Sequence, residues 1–460
     1  MGKVEERIAD FIVNTPASEV PAAAIASAHR SALDCVGCVL AASVEPQGRT
    51  IAGFARAEGG HDGPASVIGG PLRTSRSMAA LANGTLAHGL DYDDGRTSTG
   101  HASGMLLPAA LAIAEPVGAS GRDLLTAYAI GLEVITHIGD ACDFEQKEGG
   151  FHRTSLFGTM AATATAARLL GLDVRQTMMA MGTAGAVSGG LCQSFGTFTK
   201  PLHSGMAAKN AVTAALLAAE GWTGSEDILG GPAGWAKAFI RHYRYDAMAS
   251  GLGTEWRTAT RTPLIKEFPC CGLIHGPATS LLTLIREHGF TAGDVAEVRV
   301  SAPYDSMVLM YPNPASGYQG KFSLPYAVAT ILIDGRLDLD SFDDAKLSRP
   351  EYAETAAKIR INVTSQWEGT MRGERRAKAD DRLPVIVKLR DGRELRQSTE
   401  RVRGLDTDAL VAEKFRRNAA RALPPGAVEA ALAAWSGLDT ARDVREVVAS
   451  VTTGALIPAA

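Results

Sequence analysis

Several classes of function leave no trace in this chain of 460 residues. Charge of one sign is lacking: the formal net charge is −4 and no long basic run occurs, which argues against nucleic acid as the main partner. Long apolar runs are lacking too. The longest uncharged stretch, 176–199, is rich in Gly, Ser, Thr and Gln and would be a poor membrane span. The N-terminus, MGKVEERIADF, has no apolar core of a secretory signal, and Gly2 is followed by Glu6 where myristoylation wants Ser or Thr. A cytoplasmic protein without membrane contact is expected. Cysteines number six, with Cys35 and Cys38 in an apolar helical pattern and Cys270 beside Cys271. No second pair or histidine cluster stands at metal-ligand spacing, so free thiols and no metal are expected. No phosphate loop, dinucleotide fingerprint, nucleophile elbow or HExxH appears. If the chain is an enzyme, that elimination leaves one without a cofactor. Aromatics make up 6%, whereas Ala and Gly are abundant. Small side chains let helices approach closely.

Hydrophobic residues at 46% and charged residues at 21% describe a globular chain long enough for two or three domains. Helical periodicity predicts helices over 4–15, 20–44, 75–90, 103–116, 121–143, 154–170, 175–190 and 204–221. Pro108 predicts a kink or a late start in the fourth. The Gly/Pro-rich stretch 48–72 offers one short apolar piece, ASVIGG. Near residue 295 the texture changes. VAEVRVSA, KIRINVTS and LPVIVKLRDGRELRQSTE alternate apolar with polar residues, and Asp391-Gly392 signals a hairpin. The helical piece SLPYAVATILIDG lies between, and helices return over 407–422 and 425–437. The expectation is a mainly α protein with a smaller α+β domain. The helical domain would span 1–269, completed by 405–460, and the α+β lid 270–404.

Chemistry concentrates in LAHGLDYDDGRTSTGHASGMLLPAALAIAE, residues 86–115. It sets His88, Asp91, Asp93, Asp94 and His101 between two apolar runs. Polar groups gathered at element ends are how many sites are built; an acidic helix-capping loop is the plain alternative. Asp91 with His101 suggests acid–base work, the carboxylate orienting an imidazole that titrates near neutrality. Four more polar stretches interrupt apolar context: around His152, around Lys200 and His203, around Lys266 and His275, and around Lys321 and Tyr326. A lysine before a helical run can meet an anion together with the helix's free N–H groups. Taken singly, each lysine reads as a surface charge and each histidine as a structural residue. Their recurrence in one pattern points to a pocket for carboxylates.

Five ordered blocks carry a resemblance: NGTLAHGLDYDD with HASGMLLPAALAIAE, GGFHRTSLFGTMAATATAARLLGLD, TKPLHSGMAAKNAVTAALLAAEGWTG, IKEFPCCGLIHG and KFSLPYAVATILIDG. Together they resemble the MmgE/PrpD family over nearly the whole chain. That resemblance implies a large helical domain built from both chain ends with an α+β lid, a homodimer, and a small polycarboxylate substrate. It implies catalytic roles for Asp91, His101, His152, Lys200 and Lys266, with His275 and Tyr326 binding substrate. The family removes a proton alpha to a carboxylate or does its near equivalent. Here Gly95 follows Asp94, Ala102 follows His101, and the loop 95–100 lacks tryptophan, all departures in the substrate loop. The expected reaction is that of a 2-methylcitrate-dehydratase-like lyase. An epimerase of an imino- or aminodicarboxylate, a cis-aconitate-type decarboxylase and a non-catalytic polycarboxylate-binding protein stay open.

Overall fold

In the computed structural model the described residues are 3–95, 98–143, 150–303, 307–364, 384–398 and 404–453. Arg96 and Thr97 of the loop 95–100, Gly149, Ser365, Leu383, Thr399 and Glu400 lie outside them. The chain divides into two units, one of Met1–Gln193, Phe198–Ile265 and Leu405–Ala460, the other of Ser194–Thr197 and Lys266–Gly404.

The larger unit is helical. Its longer helices are α1 (Val4–Asn14), α2 (Ala22–Ser43), α3 (Pro46–Gly59), α4 (Arg76–Ala87), α5 (Ser103–Val117), α6 (Gly121–Asp140), α7 (Arg153–Leu170), α8 (Val174–Ala186) and α9 (Thr199–Ala219). Starts follow local chemistry. Ser75 accepts from the Met78 N–H, and capping boxes open α6 (Ser120, Asp123) and α8 (Asp173, Gln176). α3 occupies the first part of the stretch read only as Gly/Pro-rich, where no helix was expected. It buries only Gly48, Ala52 and Ala55, a stripe of small residues too thin to register as periodicity. α5 starts at Ser103 and runs through Pro108, so the late start is not seen. α9 begins at Thr199, five residues before the predicted start. Pro201 falls in its first turn, where a missing N–H is harmless.

α4 and α9 cross at two glycines. A Cβ on Gly84 would lie 2.9 Å from the Gly205 Cα, and one on Gly205 would lie 2.1 Å from the Thr85 Oγ1. The helices meet backbone to backbone, which brings the end of α4, at His88, to the start of α9, at Lys200.

The smaller unit carries α10 (Gly272–His288) and α11 (Leu324–Asp334) with a mixed sheet of β1 (Val295–Pro303), β2 (Ile359–Thr364), β3 (Pro384–Leu389) and β4 (Glu394–Ser398). The order is β2-β1-β3-β4, with β1–β2 parallel and the other pairs antiparallel. Val385, Val387 and Leu389 alternate inward. The turn between β3 and β4 closes as read from Asp391-Gly392, with Gly392 at φ +94°. The chain then returns to the larger unit as α12 (Asp408–Ala419), α13 (Pro425–Ser436) and α14 (Val444–Ala449). No helix among the described residues is long and apolar enough to cross a membrane. All six cysteines are free.

Candidate active site

The polar loop between α4 and α5 folds over the start of α9, and His88 stands at its centre. His88 Nδ1 lies 2.9 and 3.1 Å from the two oxygens of Asp93, and Nε2 lies 2.5 Å from the Lys200 Nζ. Lys200 Nζ in turn lies 2.7 Å from Asp91 Oδ1. An ionised carboxylate only accepts and an ammonium only donates. His88 is therefore neutral, with its proton on Nδ1 and its Nε2 lone pair turned to Lys200. Electrostatics agree. Burial pushes the His88 pKa down to about 4 against the pull of Asp93, with the charges of Lys200 and His101 adding to the fall. Burial alone would raise the Asp93 carboxyl, but His88 and His101 hold it well below the usual range. The result is a buried chain, Asp93–His88–Lys200–Asp91, in which a neutral imidazole and an ammonium lie between two carboxylates.

His101 stands at the open end. Its Nδ1 is 3.4 Å from Asp93 Oδ1, and its ring centroid is 4.5 Å from that of His88. Its side chain is 20% exposed, whereas those of His88 and Asp93 are wholly buried. The expected pairing of Asp91 with His101 is thus corrected: Asp93 sits beside His101, and Asp91 receives Lys200. Between His88 and Asp93 the backbone turns through a left-handed residue, Asp91 at φ +51°. Asp94 turns elsewhere again and caps α5, accepting from the Ser103 backbone N–H at 3.1 Å and from the Ser103 hydroxyl. Burial raises its carboxyl to about 6, the Ser103 bonds opposing and the charges of Asp93 and Asp34 assisting.

His152 is the N-cap residue of α7, and its ring centroid lies 5.8 Å from that of His88. Its Nδ1 is 3.1 Å from Nδ1 of His203, one turn beyond Lys200 on α9. One of these nitrogens donates and the other accepts. Burial holds His152 well below its ordinary pKa and lowers His203 to about 4, with the Lys200 charge adding to both.

The structure thus gathers Asp91, His101, His152 and Lys200 around His88, all in the larger unit. Lys266, His275 and Tyr326 belong to the smaller unit. Lys266 is buried there, and His275 packs edge-on against Phe268 at 5.2 Å. Tyr326 is fully buried and donates its hydroxyl proton to the Ser341 carbonyl at 2.7 Å. That bond ties its hydroxyl to the backbone within the same unit. Lys321 is likewise internal, donating to the Pro269 carbonyl at 2.8 Å.

Sequence reasoning left His88, Asp93 and His203 out of the catalytic set. His203 lies three residues after Lys200, on the same helix face once α9 starts at Thr199. Which of the three loop aspartates meets which histidine had no signal, because it depends on the backbone turn at Asp91. Among the described residues, His88, Asp93 and His101 place ligand atoms within 4.8 Å of one another, close enough to hold a cation. The Lys200 ammonium on the far nitrogen of His88 opposes that use.

A buried chain of imidazoles, carboxylates and a lysine on a helical scaffold is the kind of arrangement that suits acid–base chemistry beside an anion. Residues 6–247 match the MmgE/PrpD N-terminal domain and residues 268–440 the MmgE/PrpD C-terminal domain. The chain belongs to the MmgE/PrpD family, a family of carboxylate-processing enzymes. Its relatives include the cis-aconitate decarboxylase of Homo sapiens, 29% identical over 402 residues that cover 81% of this chain and 78% of that protein. The cis-aconitate decarboxylase-like protein oryM of Aspergillus oryzae is 25% identical over 98% of both chains. The cis-aconitate decarboxylase of Aspergillus terreus is 25% identical over 79% of both.

Proposed function

We propose that this protein is a cofactor-independent lyase that decarboxylates a small unsaturated tricarboxylate of the cis-aconitate type. The observation that carries this reading is the Asp93–His88–Lys200–Asp91 chain with His101 at its open end. The names of the relatives favour decarboxylation over dehydration as its use.

The reaction breaks the bond between a CH₂ carbon and its carboxylate, and CO₂ leaves. The released electron pair forms a new C=C bond. The former π pair moves to the carbon alpha to another carboxylate and spreads onto its oxygens. One proton taken up at that carbon completes the product. The intermediate is unstable unless cations face its oxygens, an effect worth about 3 kcal/mol per donor in a dry site. Lys200 supplies such a cation, held in place by Asp91 and His88. Lys266 serves as a second in this reading, and His275 stays a substrate-side residue. His101 delivers the proton, with Asp93 holding its ring. His152, kept neutral by burial, donates a hydrogen bond or shuttles a proton through His203. The protein acts as a cytoplasmic homodimer.

The test is NMR in D₂O with cis-aconitate, 2-methylcitrate and iminodisuccinate. The expected outcome is consumption of cis-aconitate with CO₂ release and one deuterium in the product. New alkene signals from 2-methylcitrate without CO₂ would move the assignment to a dehydratase. Exchange of the alpha proton of iminodisuccinate without net conversion would move it to an epimerase. Binding of all three without turnover would make the chain a carboxylate-binding protein.

A further inference from the structure

A lysine lies in the core of the larger unit, outside the catalytic chain. Lys414 is on α12, on the face that buries Val411, Phe415, Asn418 and Ala419, and is 1% exposed. Its Nζ lies 2.7 Å from Asp34 Oδ1 on α2 and donates to the Tyr92 carbonyl at 2.7 Å. The same ammonium sits 3.8 Å from the centroid of the Tyr92 ring. Moving a lysine into a protein core costs several kcal/mol before its partners offset it, and an apolar residue of similar volume often stabilises as well or better. Packing alone gives no reason for a charge at this position. What it holds does: Tyr92 lies between Asp91, which receives Lys200, and Asp93, which receives His88 and faces His101.

The loop needs holding. Asp91 is the one non-glycine residue with positive φ among the described residues, at +51°, a strained conformation that persists only where the surroundings over-determine it. One ammonium holds both the carbonyl and the ring of Tyr92, so the residue is fixed at its side chain and at the 92–93 peptide, whose rotation would break the carbonyl bond. Rotation there would carry Asp91 or Asp93 off its partner. We propose that Lys414 is a positioning residue of the site, a cation from the returning C-terminal segment that pins the Tyr92 peptide and so sets Asp91 on Lys200 and Asp93 on His88. The inference rests on the geometry of the site and not on which reaction the site performs.

The test uses the full chain with ¹⁵N-labelled histidine. The His88 signals are assigned by comparison with His88→Gln. Two variants are compared: Asp34→Asn, which leaves the ammonium on Tyr92, and Asp34→Asn with Lys414→Met, which removes the charge without stranding the Asp34 carboxylate. Asp34→Asn is expected to keep the wild-type pattern of His88, with Nδ1 protonated and Nε2 bare. The double variant is expected to unfold cooperatively but to lose that pattern, its His88 titrating at least ~1 pH unit higher, toward the ordinary imidazole range. Turnover of cis-aconitate is expected to fall about 10²-fold in kcat relative to Asp34→Asn, the scale of a 1 Å misplacement. A double variant whose His88 pattern and titration match Asp34→Asn would overturn the proposal. If that variant does not fold, Lys414→Gln is read against wild type by the same two signals, and identity with wild type overturns it. A wild-type protein inert toward cis-aconitate would sink the proposed reaction while the histidine spectra still decide the role of Lys414.

Discussion

The larger unit buries two histidine–carboxylate pairs, and they are built differently. On α6, His137 Nε2 lies 2.8 Å from Glu133 and its Nδ1 lies 3.0 Å from the Ser250 carbonyl. Glu133 also accepts from the Arg257 and Thr258 backbone N–H groups and from the Thr258 hydroxyl. The neighbours are backbone and one hydroxyl, and the cluster staples 250–258 to α6. His88 with Asp93 has the same residue chemistry, but its second nitrogen meets a lysine, that lysine meets another carboxylate, and two more imidazoles stand within 5.8 Å. Around it Asp94 Oδ2 and Ser204 Oγ are buried with no hydrogen-bond partner among the described residues. A buried histidine–carboxylate pair is therefore no mark of a site. A chain that joins three imidazoles, a lysine and two carboxylates is a stronger one, because perturbed titratable groups gathered in one place suit acid–base chemistry.

Four experiments sharpen that contrast. The largest effect is expected from Lys200→Met. It removes the cation of the chain, strands Asp91, and lowers cis-aconitate turnover by roughly 10³-fold, measured by product NMR. No corresponding lysine acts at the His137 pair. Next, His101→Ala is expected to lower kcat by about 10²-fold with little change in melting temperature. His137→Gln is expected to do the reverse, lowering the melting temperature while turnover per folded molecule holds. Equal behaviour of the two variants would break the comparison.

The third is pH. His88 titrates at about 4 in the folded chain against an ordinary 6.5, and His203 also near 4. For a depressed histidine, the unfolded chain binds more protons between those values, so its contribution to stability is complete above 6.5 and lost as pH falls toward 4. For His88 this amounts to on the order of 3 kcal/mol, and His152 acts in the same sense. Asp94, raised to about 6, works oppositely: its contribution is complete below the ordinary carboxylate value and lost as pH rises through 6. Denaturant melts across this range are expected to show net stability falling with acidification, and His88→Gln is expected to flatten the slope. The smallest effect is expected from Gly205→Ala. Its Cβ would meet Thr85 and the Leu81 carbonyl, forcing α4 from α9 at a cost of about 1–3 kcal/mol. Turnover should fall further than stability, since the move separates His88 from Lys200.

The same contrast shows what the sequence made legible. Long periodic stretches gave α2 and α7 to within two residues at each end and α6 with an overrun into Cys142–Asp143, and Asp391-Gly392 gave the β3–β4 hairpin, because each carries its signal locally. α3 was hidden because small residues alone mark its buried stripe. The start of α9 was missed because Pro201 reads as a breaker until it is placed in a first turn. At the site, the polar stretches were visible as interruptions of apolar context. The pairing within them was not. Asp91, Asp93 and Asp94 are chemically alike and nearly adjacent, and the turn of the backbone through them decides which meets lysine, histidine or a helix end. Lys414 gave no signal either, since one lysine on an amphipathic helix reads as solvated.

The most direct test of the account is the fate of cis-aconitate in D₂O with wild type and Lys200→Met side by side, both shown to be folded. CO₂ release with a single deuterium at the carbon alpha to a carboxylate, abolished in the variant, is the expected result. Equal turnover by the two proteins would contradict a role for the lysine at the centre of the relay.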